Sequence, residues 1–325
     1  MDKTAKTVRE RLCENERNFL SEYATLSENT KGRVRAETSC DFRTEFGRDR
    51  DRIIYANSFK RLKNKTQVFF APEGDHYITR LTHTLDVSQI ARSIARSLAL
   101  NEDLAEAIAL GHDLGHPPFG HVGEKVLAQL SSTGFMHNEQ SVRVVEVIEK
   151  GGRGLNLTYE VRDGILHHKS SGKPATLEGE AVSLADRIAY INHDIQDALR
   201  GGIIYPMDLP LECTSILGFT HSERIGKLVS DAIEASRGKK EICQSGKVGQ
   251  AMLALKDFMF ENVYTNPLAK GEESKAQQML ELLFEHYLRD PDRLPADFQD
   301  IRVKEGAERA ICDYIAGMTD PYAVE

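Results

Sequence analysis

The stretch LGHDLGHPPFGHVGEK, residues 110–125, places His112, His116 and His121 close together, with Asp113 and Glu124 beside them. The chain has 11 histidines in all, so this is a marked concentration. The residues before it, Glu102 to Leu114, carry Leu104, Ile108 and Leu110 at helical spacing. His112 falls four residues after Ile108 and eight after Leu104, so it points to the same interior as those side chains. Gly115, Pro117 and Pro118 then turn the chain.

Working outward, helical periodicity dominates. Arg80 to Leu98 carries Leu81, Leu85, Ile90, Ile94 and Leu98. HNEQSVRVVEVIEK reads as a helix stopped by GGRG, and Glu180 to Leu199 as another ended by Gly201 and Gly202. Further helices are expected over 223–235, 248–264, 274–288 and 306–318. Strand alternation is scarce, and KTQVFFAP (65–72) is the best candidate for a hairpin arm. The expected class is therefore all-α, with at most a small hairpin. The expected organisation is an N-terminal helical segment (1–40), a core (41–205) and a C-terminal helical region (206–325) packed on it.

Composition narrows the setting. The 325 residues carry a net charge of -8, which disfavours a broad nucleic-acid-binding face. No run of 18 apolar residues predicts a membrane helix. The N-terminus has no apolar signal-peptide region, and the five scattered cysteines suggest no disulfide framework. A reduced cytoplasmic compartment is the simplest expectation. The basic run 43–65 reads first as a helix laced with ion pairs, and second as a phosphate-binding cluster.

Four polar groups lie on or beside apolar stripes. His83 shares the face of Ile90 and Ile94, His112 and Asp113 close the next helix, and Asp186 is four residues after Val182. Clustered buried carboxylates are unfavourable unless something neutralises them. Two imidazoles and two carboxylates make a mixed nitrogen and oxygen donor set suited to Mn, Fe, Zn or Co.

This H…HD…D order is the HD-domain signature. FRTEFGRDRDRIIYANSFKRLKNKTQVF, YITRLTHTLDVSQIARSIARSLALN, AIALGHDLGHPPFGHVGE, VRDGILHH, ADRIAYINHDIQDAL and the tail DYIAGMTDPYA resemble the dGTPase-like branch, the dNTP triphosphohydrolases. The resemblance covers about residues 41–199 and the C-terminus, while residues 206–305 resemble the family only in length and helicity.

The resemblance implies that His83, His112, Asp113 and Asp186 hold a divalent metal, Mn favoured over Mg, Fe, Co or Zn. It implies that His121 and Glu124 are catalytic and that His116 is a further active-site histidine near the phosphates. Arg80 matches a phosphate-contacting arginine. Arg187 stands where a relative has a phosphate-binding lysine. Tyr190 and Asp194 match residues that pack on the deoxyribose and bind its 3′-hydroxyl, with Gln67 as a second partner for that hydroxyl. One of His167 and His168, with Lys169, is expected near the triphosphate. The implied reaction is water attack at the α-phosphate, giving deoxynucleoside and inorganic triphosphate.

The residue types suit this chemistry. A metal can withdraw charge from a phosphate oxygen, and a histidine can move a proton. Were a helix to follow Pro118, Glu124 would lie one turn from His121 and hold its imidazole. With a triphosphate in view, Arg43, Arg48, Arg52 and Lys65 are additional candidates to neutralise it. Asp186, Tyr190 and Asp194 recur every four residues on one stripe leading from the metal. A second metal site from His193 and Asp194 is the weaker alternative. The resemblance also implies a homo-oligomer, tetramer or hexamer, with dNTP activators, and keeps single-stranded nucleic acid as a further partner class. The competing readings are an HD-type phosphodiesterase or 5′-nucleotidase, and a nucleotide-sensing or nucleic-acid-binding protein with a degenerate site.

Overall fold

A computed structural model describes residues 6–67, 78–265 and 267–325, with the side chains of 267–272 left aside. Seventeen α-helical segments follow one another among the described residues. The first half runs α1 (Val8–Phe19), α2 (Glu45–Ile54), α3 (Asn57–Arg61), α4 (Arg80–Ser97), α5 (Glu102–Gly111), α6 (Gly120–Leu130), α7 (His137–Arg143), the single turn α8 (Glu149–Gly152), α9 (Tyr159–His167) and α10 (Leu177–Arg200). The second half runs α11 (Leu211–Leu217), α12 (His221–Ser236), α13 (Gly246–Met259), α14 (Pro267–Arg289), α15 (Ala296–Glu305), α16 (Ala307–Ala316) and α17 (Asp320–Val324). The described residues hold no named strand. They hold two isolated bridges, Arg33 with Thr158 and Thr66 with Thr79. The fold is all-α, as the periodicity predicts. The expected hairpin arm lies mostly outside the described residues, since only 65–67 of it are covered. Within 6–40, helix is confined to α1 and one 3-10 turn at Ser27–Asn29.

Caps start the helices that matter. The Thr79 hydroxyl accepts from the Thr82 amide at the start of α4, and the Asn101 side chain accepts from the Leu104 amide at the start of α5. Thr176 accepts from the Gly179 amide and opens α10, the 24-residue helix at the centre.

Two apolar cores result. The larger is built from α2, α4, α5, α9 and α10, through residues such as Phe46, Ile94, Leu104, Ile108, Ile165, Val182 and Ile188, and extends to α11–α13. Each of these side chains buried contributes about 1.5–3 kcal/mol. The smaller joins α6 to α14 and α16 through Val126, Leu127, Leu280, Phe284, Ile311 and Ile315. α4 and α10 pack along each other, and α5 packs against both. That three-helix contact brings His83, His112 and Asp186 to one place.

The basic run resolves as its first reading. Arg43 pairs with Asp51, Arg48 with Glu37, Arg50 with Asp103 and Arg52 with Glu37. Arg52 also donates to the carbonyls of Leu155 and Asn156 at 2.9 Å. Arg43, Arg48 and Arg52 are therefore occupied in tying α2 to its neighbours and are not a free phosphate cluster. Lys65 is wholly buried, and its Nζ donates to the carbonyls of His116 and Ala316.

Candidate active site

α5 ends at Gly111, and the chain then turns sharply. Ser141 on α7 holds this turn: its hydroxyl donates to the His112 carbonyl at 2.7 Å and accepts from the Gly115 amide at 2.9 Å. α7 lies so close that a Cβ on Gly115 would meet the Ser141 nitrogen at 2.1 Å. Only glycine fits that approach. Phe119 and Gly120 then take left-handed conformations, φ 61° and 54°, and reverse the chain into α6. Asp320 braces this reversal, accepting from the Phe119 amide at 3.0 Å and from the Thr66 amide at 2.8 Å.

Four donors converge at the helix crossing. His83 Nε2 lies 3.1 Å from Asp186 Oδ1. His112 Nε2 lies 3.4 Å from Asp113 Oδ1 and 3.7 Å from Asp186 Oδ1. Ligands bound at about 2.1 Å to one ion stand about 3.0–3.5 Å from each other. His112 Nδ1 is 2.6 Å from the Ala109 carbonyl and must donate to it. Its Nε2 is then a bare lone pair, buried and without a hydrogen-bond partner, facing two carboxylate oxygens. Acceptor facing acceptor is unfavourable unless a cation sits among them. The donor set therefore fits a divalent ion.

The surroundings are charged and buried. Burial alone would raise the Asp113 carboxyl, but the His112, His116 and Arg80 side chains beside it hold it well below the usual range. Arg80 Nη1 donates to Asp113 Oδ2 at 2.9 Å, and His116 Nε2 lies 3.3 Å from Asp113 Oδ1. Asp186 is lowered in the same way, against burial, by the His83 and His112 side chains beside it. Burial drives His116 well below an ordinary histidine, with Arg80 and His137 adding to it.

His137, on α7, was not among the residues singled out from the sequence. Its ring stacks on His116 with centroids 3.8 Å apart. Its Nδ1 lies 2.9 Å from Glu124 Oε2, and its Nε2 lies 3.2 Å from His168 Nε2. His168 Nδ1 donates to the Ile165 carbonyl at 2.7 Å, so its own Nε2 is an acceptor. Both nitrogens of His137 thus face acceptors. Glu124 consequently pairs with His137 more closely than with His121, whose Nδ1 is 3.8 Å away. The expected one-turn contact of Glu124 with His121 is present but long, and His137 is the nearer partner. The physical reason is that α6 turns His121 outward, leaving its side chain 74 % exposed. Burial opposes the Glu124 charge, yet His121 and His137 beside it hold its carboxyl well below the usual range.

His168 faces inward and is pushed down to about 3 by burial, with His112 and His137 adding to it. His167 instead pairs with Asp163 at 3.1 Å. Lys169 Nζ lies 3.7 Å from Glu124 Oε1. Two spatial groups of metal-capable side chains stand out among the described residues: His83 with His112 and Asp113, and Asp113 with His116 and His137.

On α10, Asp186, Tyr190 and Asp194 follow one another by single turns. Asp194 is buried and accepts from the Tyr264 hydroxyl, at the end of the π-turn after α13. Burial pushes the Asp194 carboxyl up to about 6 and Tyr190 up to about 12. Tyr264 was also missed, because only the tertiary fold brings it there. Arg187 Nε donates back to the Ser183 carbonyl at 3.3 Å on its own helix. Gln67 borders Gly120, where a Cβ would meet the Gln67 carbonyl oxygen at 2.6 Å. His193 turns toward His83 and Asp86, whereas Asp194 turns toward Tyr264. Adjacent residues on one helix point in different directions, so these two do not form a common metal site.

An all-helical fold with this His, His–Asp, Asp arrangement defines the class of HD-domain phosphohydrolases. The chain matches the HD domain family over residues 80–191 and the phosphohydrolase-associated domain over residues 242–325. It is 56 % identical over 317 residues to a deoxyguanosinetriphosphate triphosphohydrolase-like protein of Caldanaerobacter subterraneus subsp. tengcongensis, covering 98 % of this chain and 94 % of that one. A protein of the same description from Clostridium tetani is 47 % identical over 329 residues, with 98 % and 94 % covered. Among solved structures, a hypothetical protein from Aquifex aeolicus aligns at 22 % identity and a TM-score of 0.49, covering 85 % of this chain and 66 % of that one. The chain belongs to the deoxyguanosinetriphosphate triphosphohydrolase-like family.

Proposed function

We propose that this protein hydrolyses deoxynucleoside triphosphates to deoxynucleoside and inorganic triphosphate, by water attack at the α-phosphate. The observation that carries the proposal is the bare, buried His112 Nε2 facing Asp113 and Asp186, with His83 closing the set. The names of the relatives support the substrate class. In this reading His83, His112, Asp113 and Asp186 hold a divalent ion, Mn favoured, in a reduced cytoplasmic setting. When bound, such an ion polarises a phosphate oxygen and lowers the pKa of water.

The chain's own residues do the rest. Arg80 puts positive charge, and His137 hydrogen-bonding capacity, beside the phosphates. His121, exposed toward solvent and near Glu124, moves a proton to or from the reacting oxygens. His116 packs between Asp113 and His137 and keeps both in register. Arg187 and Lys169 add charge along the triphosphate. Tyr190, Asp194 and Gln67 receive the sugar, and Tyr190 forms a wall against a 2′-hydroxyl. Residues 41–205 then act as the catalytic core and 206–325 as the region packed on it. A homo-oligomer activated by dNTPs belongs to the same proposal.

The test is a panel of four dNTPs, singly and in pairs, with Mn or Mg, with products resolved by anion exchange. Inorganic triphosphate is the expected product. Orthophosphate, or cleavage of a cyclic dinucleotide instead, would move the protein to the nucleotidase or phosphodiesterase reading. Asp113→Ala should remove metal and activity together. His121→Ala should leave metal bound and cut turnover about 10²-fold or more.

A further inference from the structure

We infer that Asp86 and His193 form a relay that sets the tautomer of His83 and so prepares it to bind a cation. The inference rests on the proposed ligand role of His83. His83 and Asp86 lie one turn apart on α4, and His193 comes from α10, two turns beyond Asp186. Asp86 Oδ2 is 2.8 Å from His193 Nε2. A carboxylate only accepts, so His193 Nε2 carries the proton. A neutral His193 then has a bare Nδ1, which lies 3.3 Å from His83 Nδ1. His83 must donate there, which leaves its Nε2 as a lone pair aimed at the donor set with Asp186. Without His193 as acceptor, His83 is free to carry its proton on Nε2 and donate to Asp186. That tautomer has no lone pair for an ion.

His193 is buried and belongs to neither the expected sugar stripe nor any group of three metal-capable side chains among the described residues. Its two nitrogens are both committed to this chain of contacts. Hydrogen-bonded partners of a metal-binding histidine raise its basicity and orient its ring, and their loss weakens metal binding about 10–100-fold. Asp86 and His193 are thus positioning residues acting through His83.

The test measures Mn²⁺ binding to the metal-stripped full chain by calorimetry, together with the thermal midpoint of the apo form. Asp86→Leu and His193→Phe should each weaken Mn²⁺ about 10-fold or more. The double variant should be no weaker than the poorer single, because both act through one path. His193→Gln, whose side-chain oxygen still accepts from His83, should recover much of the affinity. Asp86 is half exposed, so Asp86→Leu keeps the packing even if His193→Phe disturbs it. Wild-type affinity in Asp86→Leu and His193→Phe, with binding lost in His83→Ala, would overturn the relay and leave the metal site standing. Wild-type affinity in His83→Ala would instead overturn the ligand role on which the relay depends.

Discussion

Asp194 shows how one residue reports its setting. It is buried on α10 with the Tyr264 hydroxyl as partner, and burial raises its carboxyl to about 6. The folded protein therefore binds this proton more tightly than the unfolded chain does. That contribution to stability is complete below about pH 4 and is lost as the pH rises through about 6. Removing the titration with Asp194→Asn should flatten this part of the profile. The stability difference between wild type and Asp194→Asn should change by about 3 kcal/mol between those limits, read by urea denaturation. A difference independent of pH would show that Asp194 stays ionised throughout. His121 makes the contrasting case. It is an exposed residue whose removal should alter turnover and leave stability within about 0.5 kcal/mol.

At the scale of elements, the turn between α5 and α6 is held from outside. Lys65 donates to the His116 carbonyl and to the Ala316 carbonyl at the end of α16. Asp320, at the start of α17, accepts from Thr66 through its amide and hydroxyl and from the Phe119 amide. The strained left-handed Phe119 persists because these contacts over-determine it, while Gly120 adopts the same region freely. Asp320→Ala should cost about 2–4 kcal/mol, since buried donors lose a charged acceptor. Asp320→Asn should cost less, because one amide oxygen still accepts. If Asp320→Ala unfolds at the wild-type urea midpoint, the brace is dispensable.

Across the whole molecule, a second junction ties the smaller core to the larger. Asp313 on α16 accepts from Gln140 at 2.8 Å and Arg143 at 2.8 Å on or beside α7, and from Arg309 at 2.7 Å on its own helix. Asp313 is buried and the two arginines are partly buried. Asp313→Ala should destabilise by about 2–4 kcal/mol, because both guanidinium groups lose their buried carboxylate and keep only Glu305 and Gln140 as partners. The folded fraction should still bind metal with wild-type affinity, as Asp313 touches none of the four donors. Measuring both quantities separates a stability role from a site role.

Much of this was readable from the sequence for a local reason. Helical period and caps are short-range properties, so the all-α class and the helices carrying His83, His112 and Asp186 follow from spacing. The inward orientation of those residues follows in the same way, and the GHDLGHPPFGHxGE run identifies the family. Which partners the side chains choose is decided by residues far apart in the chain. Glu124 pairs with His137 because the loop after α6 brings the start of α7 back to it, and His168 turns in while His167 turns out because α9 ends there. Tyr264 meets Asp194 across 70 residues of sequence. His193 reaches Asp86 and His83 only because α10 lies along α4. The sequence by itself determined which residues enter the interior. The tertiary structure decided which of them share a proton, because hydrogen bonds require distances of about 3 Å that only the packing of helices sets.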